Sequence, residues 1–247
     1  MGKSSKDKDR RAIVEQMRRD QKRAEKRRTY AIIAACAAVG LVIIGLGAYP
    51  VIKDARTDAK LSGTALDSLG VPAAQAGCKD VQATPATGSA DHKPDGERIF
   101  YEESPPASGP HYASPAPFDR KFYTADDRPQ LETFVHNLEH GYTILWYDET
   151  ISDDPKKLAD IEAIAKKFPS DSDPENKFIV APWTEDDGEP FPGGAHIALT
   201  HWSMGGTNEN PEGQQGVSQY CAEPSGAVVS KFVEDYPYTD SPEPNAA

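Results

Sequence analysis

The sequence predicts an α+β domain outside a membrane, carried on a single N-terminal transmembrane helix. Three observations support this fold class. Residues 30–52 contain no charged side chain, and beyond residue 77 short apolar strands interleave with amphipathic helices without a regular crossover repeat. The charge also changes sign along the chain. Residues 1–29 hold 12 Lys and Arg against 5 Asp and Glu, a net +7, so the remainder must carry −19 to give the total of −12.

The uncharged segment 30–52 is long enough to cross a bilayer as a helix. Its 23 residues, at about 1.5 Å of rise each, reach roughly 30 Å or more. A cleaved signal peptide would have a shorter apolar region, of about 7–15 residues, and a cleavage site with small residues. Ala48-Tyr49-Pro50 is a poor site of that kind. The sequence therefore predicts an uncleaved anchor.

Basic residues directly before this segment predict its orientation. By the positive-inside rule they hold the N-terminus in the cytoplasm and place everything after residue 52 outside, so we expect a single-pass protein of the cell membrane. The basic tail, residues 1–29, lacks aromatic side chains that could stack on bases, so no nucleic acid is expected as a partner. Its cations suit anionic lipid headgroups, and the bilayer is an expected partner. The cluster comprises Lys22, Arg23, Lys26, Arg27 and Arg28.

Composition divides the outer part into three segments. Residues 53–76 are small and polar and predict a tether, residues 77–238 predict the folded domain, and the Pro-rich residues 239–247 predict a disordered tail. Residues 83–97 are typical of an exposed loop. The Pro-rich segment 105–118 predicts an ordered loop, because its prolines exclude a helix or a central strand.

Hydrophobic periodicity predicts the elements of the domain. Apolar residues three and four apart, with Asp-Pro or Pro starts and Gly or Pro stops, predict helices at 129–140, 155–168 and 226–236. Short apolar runs predict strands at 99–101, 142–147, 178–181 and 196–202.

The cysteines predict one disulfide. Cys36 lies within the apolar span, whereas Cys78 and Cys221 lie near the two ends of the outer domain, in a compartment where disulfides persist. Their pairing would close a loop of about 140 residues and stabilise the domain by several kcal/mol in the chain-entropy model. Two free thiols are the alternative. The absence of a Cys-x-x-Cys pair excludes thioredoxin-type chemistry.

The strongest candidate for chemistry is the segment His136-Asn137-Leu138-Glu139-His140. Positions i and i+4 of a helix share a face, so His136 and His140 can chelate one ion there. With His111 from the Pro-rich loop as a third ligand and Glu139 as a neighbour, the segment predicts a zinc or copper site. The order His-x-x-Glu-His is also that of the inverted zinc peptidases, in which the glutamate is the general base.

A structural interpretation of the same residues stays open. A histidine at a helix C-terminus can bond free carbonyls and complement the helix dipole, and with Glu139 and His111 it can form a polar network that holds the loop. The peptidase interpretation lacks an evident downstream glutamate ligand. His196 and His201 lie on opposite faces of their predicted strand, so they cannot both complete the site without a bulge.

Two of these segments resemble a known family. PPASGPH, residues 105–111, followed by VHNLEHGYTILWY, residues 135–147, resembles the domain-of-unknown-function family 3105, found largely in actinobacteria. The resemblance covers about residues 77–237, and members commonly carry one N-terminal anchor. It implies that His111, His136, Glu139 and His140 act together, but the family has no assigned activity.

The whole chain is also similar, more weakly, to accessory single-span subunits of the actinobacterial respiratory supercomplex, in which a cytochrome bcc complex joins an aa3 oxidase. This resemblance implies a non-catalytic accessory subunit with respiratory-chain subunits as partners and no cofactor of its own. Small residues along the span would let another helix approach closely. The alternative function is an extracytoplasmic metal-binding protein or a zinc hydrolase.

Overall fold

The computed structural model describes residues 3–86, 92–205 and 213–246. The chain forms two compact units, residues 1–60 and residues 61–247. Each unit is described by itself.

The first unit is helical. One continuous helix, α1, runs from Lys3 to Ser62 and includes the whole predicted span. Its segment Ile13–Tyr49 is long and apolar enough to cross a membrane, and the most apolar part is not buried against protein. Large side chains such as Leu41 and Leu46 are about as exposed as in an isolated helix, at 70% and 73%. Among the described residues, one helix, near the N-terminus, is therefore long and apolar enough to span a membrane.

A five-stranded mixed sheet organises residues 61–247. Its strand order is β1-β7-β6-β4-β5, with β4 and β5 parallel and every other neighbouring pair antiparallel. A separate parallel pair joins two short strands, β2 and β3. In chain order the strands are β1 Gln82–Pro85, β2 His92–Lys93, β3 His111–Tyr112, β4 Thr143–Tyr147, β5 Phe178–Pro182, β6 Ile197–Ser203 and β7 Gln215–Cys221.

Helices cover both faces of this sheet. Successive side chains of a strand point to opposite faces, so Leu145 and Tyr147 of β4 pack in one apolar cluster while Ile144 and Trp146 pack in the other. The first cluster includes residues of α4 and α5, and the second includes residues of α2. The α+β class is therefore confirmed. The helices are α2 Leu131–Glu139, α3 Glu149–Ser152, α4 Pro155–Ala165 and α5 Gly226–Asp235.

The ends of the helices follow from local sequence. The Asp154 side chain accepts hydrogen bonds from the backbone N–H groups of Lys156 and Lys157, and Pro155 begins α4. Helix α2 stops before Gly141, whose φ of +91° favours glycine. A Cβ at that position would lie 2.4 Å from the Tyr238 carbonyl oxygen, so the C-terminal segment can pass close to the end of α2.

Several strand assignments differ from the sequence prediction. Residues 99–101 form no strand, and Phe100 is 85% exposed. Strand β1 falls partly, and β2 wholly, inside the segment 83–97 that the sequence predicts as a loop, and β3 lies in the Pro-rich segment 105–118 that it also predicts as a loop. Strand β7, Gln215–Cys221, was not predicted because its polar residues hide the pattern, yet it pairs with both β6 and β1.

The domain is also longer than predicted at both ends. In place of a tether, Leu69 and Ala76 are buried, and the Gly226 N–H donates to the Leu69 carbonyl at 2.9 Å. In place of a disordered tail, residues 239–246 contact the domain, since Lys177 Nζ donates to the carbonyls of Pro244 and Ala246 at 2.9 and 2.7 Å. A buried ammonium needs such acceptors, which is why these residues are held.

The disulfide is consistent with the predicted pairing. Cys78 and Cys221 are bonded, with an S–S distance of 2.05 Å and a separation of 143 residues along the chain. The bond ties the segment before β1 to the end of β7. Cys36 is free and exposed.

Candidate metal centre

Helix α2 and the β2–β3 pair bring four potential ligands together. His92 of β2 is in register with His111 of β3, and His136 and Glu139 project from α2. Residues three apart share a face of a helix, so both α2 side chains reach the same point. One ligand atom from each of the four residues lies within 4.8 Å of every other.

The Pro-rich loop that carries His111 is fastened to α2. The Asn137 side-chain amide makes two hydrogen bonds to the backbone of Ala116: its Oδ1 accepts from the N–H at 2.8 Å, and its Nδ2 donates to the carbonyl at 2.9 Å. The Tyr101 hydroxyl donates to the Pro110 carbonyl at 2.6 Å. Because side chains satisfy this backbone, the loop can hold a histidine in a fixed position.

Backbone carbonyls fix the orientation of two imidazoles. His111 Nδ1 lies 2.8 Å from the Gly109 carbonyl oxygen, and His136 Nδ1 lies 2.6 Å from that of Tyr112. A carbonyl only accepts, so each Nδ1 carries a proton, and in the neutral imidazole the Nε2 then presents a lone pair. Metal-binding histidines in proteins are oriented in this way.

The Nε2 atoms of His111 and His92 face the Glu139 carboxylate. His111 Nε2 lies 3.0 Å from Glu139 Oε2, and His92 Nε2 lies 3.9 Å from the same oxygen. Within the described parts of the chain, the buried His111 Nε2 makes no hydrogen bond of acceptable geometry. A tetrahedral zinc site with bonds of about 2.0–2.1 Å places neighbouring ligand atoms about 3.3 Å apart, which lies between these two separations.

Burial sets the protonation state of His136. It lowers the pKa of His136 to about 4, because desolvation of the imidazolium outweighs the favourable hydrogen bond to Tyr112. His136 is therefore neutral at pH 7, the form that ligates metals. His111 and Glu139 are buried, whereas His92 is 46% exposed. The cluster thus opens to solvent on the His92 side.

His140 lies at the end of α2, as predicted, but outside the group of four candidate ligands. It follows the last residue of α2, and its Nε2 lies 2.9 Å from His136 Nε2 and 3.6 Å from Glu243 Oε2. Its ligand atom groups with those of Glu139 and Glu243, not with the four-residue cluster. The predicted set of His111, His136 and His140 with Glu139 as a neighbour therefore differs from the arrangement seen, in which Glu139 belongs to the set.

Two residues of these groups, His92 and Glu243, could not be recognised from the sequence. His92 lies in a segment predicted to be an exposed loop, and Glu243 lies in the predicted disordered tail. A two-residue strand has no periodicity, so the pairing of His92 with His111 leaves no local signal. Glu243 is placed by contacts with residues about a hundred positions earlier in the chain.

The remaining histidines lie elsewhere. His196 Nδ1 pairs with Asp148 Oδ2 at 2.8 Å. His201 is fully buried, with its ring nitrogens 3.2 and 2.8 Å from the carbonyl oxygens of Tyr142 and Asp240. Neither belongs to the cluster formed by the described residues.

Fold and site together define a class of protein: a mixed-sheet α+β domain that holds three histidines and a glutamate between a helix and a Pro-rich loop. The chain belongs to the family described as a protein of unknown function (DUF3105), whose model matches residues 92–247. The match confirms the resemblance of the two sequence motifs and includes His92 and Glu243. Comparison with curated proteins and with solved structures gives no match.

Proposed function

We propose that this is a membrane-anchored protein whose extracytoplasmic domain binds a divalent transition-metal ion through His92, His111, His136 and Glu139. The observation that carries the proposal is the His111 imidazole. Its Nδ1 is held by the Gly109 carbonyl, and its buried Nε2 lies 3.0 Å from Glu139 Oε2 in a geometry that, among the described residues, is not that of a hydrogen bond.

A purely structural network explains this geometry less well. Such a network is stabilising when its buried polar atoms are paired, and one unpaired buried atom costs about 1–3 kcal/mol. A metal ion resolves the problem, because it accepts the lone pair of His111 Nε2 and neutralises Glu139 at once. The preset Nδ1–carbonyl bonds of His111 and His136 then serve to aim the ligands.

The ligand chemistry favours zinc or copper. Three imidazole nitrogens, one carboxylate oxygen and no sulfur form a set that suits Zn²⁺, and Cu²⁺ binds most nitrogen–oxygen sites more tightly than Zn²⁺. Four protein ligands would leave Zn²⁺ with a closed tetrahedral shell, as in sites that hold a metal without catalysis. Zn²⁺ is therefore the first ion to test.

The full chain, purified in mild detergent, provides the test. We expect it to bind Zn²⁺ in isothermal titration, and we expect His111→Gln to weaken that binding at least about 100-fold, because a direct ligand matters at least as much as the groups that orient one. His196→Gln is the matched control, since it removes a histidine outside the cluster. Equal affinities for His111→Gln and the unaltered chain would overturn the proposal.

Glu139→Gln separates metal binding from hydrolysis. Glu139 Oε2 faces the histidines as a ligand would. We therefore expect the glutamine side chain of Glu139→Gln to lower the zinc affinity by about 10–100-fold, the range measured when groups that orient metal ligands are replaced. A zinc hydrolase that used Glu139 as general base would keep its zinc in this variant and lose only its activity.

A role as a non-catalytic accessory subunit of a respiratory supercomplex stays a proposal, and it is compatible with a bound metal. Its support is the exposed apolar surface of α1, which can meet another membrane helix as well as lipid. Oxidase and bc-type subunits that co-purify in near-equal amounts with the chain would support it. Purification of the chain alone from its native membrane would contradict it.

A further inference from the structure

We propose that Glu139, His140 and Glu243 bind a second divalent cation next to the first, with the Glu139 carboxylate bridging the two ions. One ligand atom from each of these residues lies within 4.8 Å of the others. The inference rests on the proposed function, because Glu139 belongs to both groups of ligands. A carboxylate has two oxygens and can serve two metals at once.

The fold positions Glu243 beside the end of α2. The Glu243 N–H donates to the Glu139 carbonyl at 2.9 Å. Lys177 Nζ donates to the His140 carbonyl at 2.8 Å and to the carbonyls of Pro244 and Ala246 at 2.9 and 2.7 Å. One buried ammonium therefore joins the two segments that supply the ligands, and the Glu243 carboxylate comes within 3.6 Å of His140 Nε2.

The histidines of the two groups are adjacent without competing for one position. His136 Nε2 and His140 Nε2 are 2.9 Å apart, and each serves its own ion when their mutual hydrogen bond is given up. In two-metal sites the ions lie about 3.5–4 Å apart, a separation that neighbouring ligands and a bridging carboxylate permit.

The second site has room for a further ligand. It has three protein ligands where the first has four, and the Glu243 side chain is 52% exposed while His140 is nearly buried. Three protein ligands with an open position is the pattern of sites at which a metal also binds water or substrate. Two divalent ions with two carboxylates and neutral imidazoles keep a net charge of +2, so the open positions favour an anion, and hydroxide is the simplest one.

Zinc stoichiometry tests the second site. The full chain in detergent, loaded with Zn²⁺ and freed of excess metal by gel filtration, is expected to hold two zinc ions per chain by elemental analysis. Glu243→Gln is expected to hold one. Glu234→Gln, which changes an exposed glutamate of α5, is the matched control and is expected to keep two. Glu243 is half exposed, so the variant is expected to fold, and equal melting temperatures with and without the substitution would verify this.

The possible results separate the two proposals. One zinc in the unaltered chain, lost in His111→Gln and retained in Glu243→Gln, would overturn the second site and leave the first. Two zinc ions that both remain in Glu243→Gln would also overturn it, because the second ion would then lie elsewhere. No bound zinc in the unaltered chain would overturn both proposals.

Discussion

At the scale of single residues, the buried histidines differ in what surrounds each ring. The Nδ1 atoms of His111 and His136 face carbonyls and their Nε2 atoms face a carboxylate or another imidazole. Both ring nitrogens of His201, by contrast, face carbonyl oxygens. In His111 and His136 the Nε2 atom can bind a metal, whereas in His201 backbone carbonyls contact both ring nitrogens. We therefore assign His201 a structural role.

His201 makes the stability of the domain depend on pH. Burial lowers its pKa in the folded state below the ordinary 6.5, despite the opposing effect of Asp240. Below about pH 6.5 the unfolded chain binds a proton that the folded chain refuses, so the free energy of unfolding falls as the pH drops. One such group contributes a slope of at most about 1.4 kcal/mol per pH unit.

We expect His201→Gln to reduce this slope, as measured by urea unfolding of the full chain in detergent on either side of pH 6.5. His136, whose pKa is also lowered by burial, would account for part of the slope that remains. His196→Gln serves as the control, since the His196 side chain is 33% exposed at its pair with Asp148. An unchanged pH dependence in His201→Gln would show that its ring does not titrate differently on folding.

At the scale of elements, hydrogen bonds hold the C-terminal segment 239–246 against the domain. Lys177, at the start of β5, bonds three carbonyls, two of them in this segment. The Asp240 carboxylate accepts from the Ser203 hydroxyl at 2.6 Å and from the Met204 N–H at 3.1 Å. These bonds connect the segment to the ends of β5, β6 and α2. The segment therefore packs next to the candidate metal centre.

Lys177→Met should release this segment. Burial already lowers the pKa of Lys177 to about 8, and the substitution leaves three carbonyls without their donor. We expect the free energy of unfolding to fall by about 2–4 kcal/mol, since hydrogen bonds to a charged group contribute about 1.5–3 kcal/mol each and water replaces some of them. Hydrogen exchange of residues 239–246 should become faster. Lys231→Met, which removes an exposed lysine of α5, is the control.

Unchanged exchange protection of residues 239–246 in Lys177→Met would contradict this account of the segment. A loss of the second zinc ion in the same variant would be expected, because Glu243 would no longer be held near His140. Such a loss without faster exchange would instead indicate a local effect of Lys177 on the His140 carbonyl.

At the scale of the whole molecule, residues 61–247 have an apolar core of their own. Two clusters on opposite faces of the sheet include large buried side chains such as Trp146 and Phe178. The Cys78–Cys221 bond also closes a long loop, which the chain-entropy model expects to stabilise the fold by about 5 kcal/mol. The described residues of both clusters all belong to this unit.

We therefore expect a chain that begins at Leu61 to be soluble without detergent and to unfold cooperatively, as followed by circular dichroism. The reason is that α1 supplies most of the exposed apolar surface, while the sheet and both clusters remain. A detergent-dependent or disordered product would show that the second unit needs the first. The full chain in detergent is the reference for its melting temperature.

The long apolar helix, the α+β class and the helix boundaries near Pro155 and Gly141 could be predicted from the sequence, because each depends on neighbouring residues. An uncharged run, a capping aspartate or an apolar stripe is visible within a window of about 20 residues. The His136–Glu139 pair was equally visible, since it needs only one turn of helix. Strand β7 could not be recognised in the sequence, because its burial comes from its two partner strands and not from its own composition.

The complete groups of candidate ligands could be recognised only in the fold. His92 joins His111 through a strand pair of two residues, and Glu243 reaches His140 through a lysine of a third segment. Neither contact leaves a pattern in a short stretch of sequence, because each joins segments that are far apart in the chain. Bringing such segments together costs conformational entropy, and the packing of the sheet offsets that cost. The sequence thus indicated that histidines and a glutamate act together, whereas tertiary packing placed Glu139 beside His92, His111 and His136 and grouped His140 with Glu243.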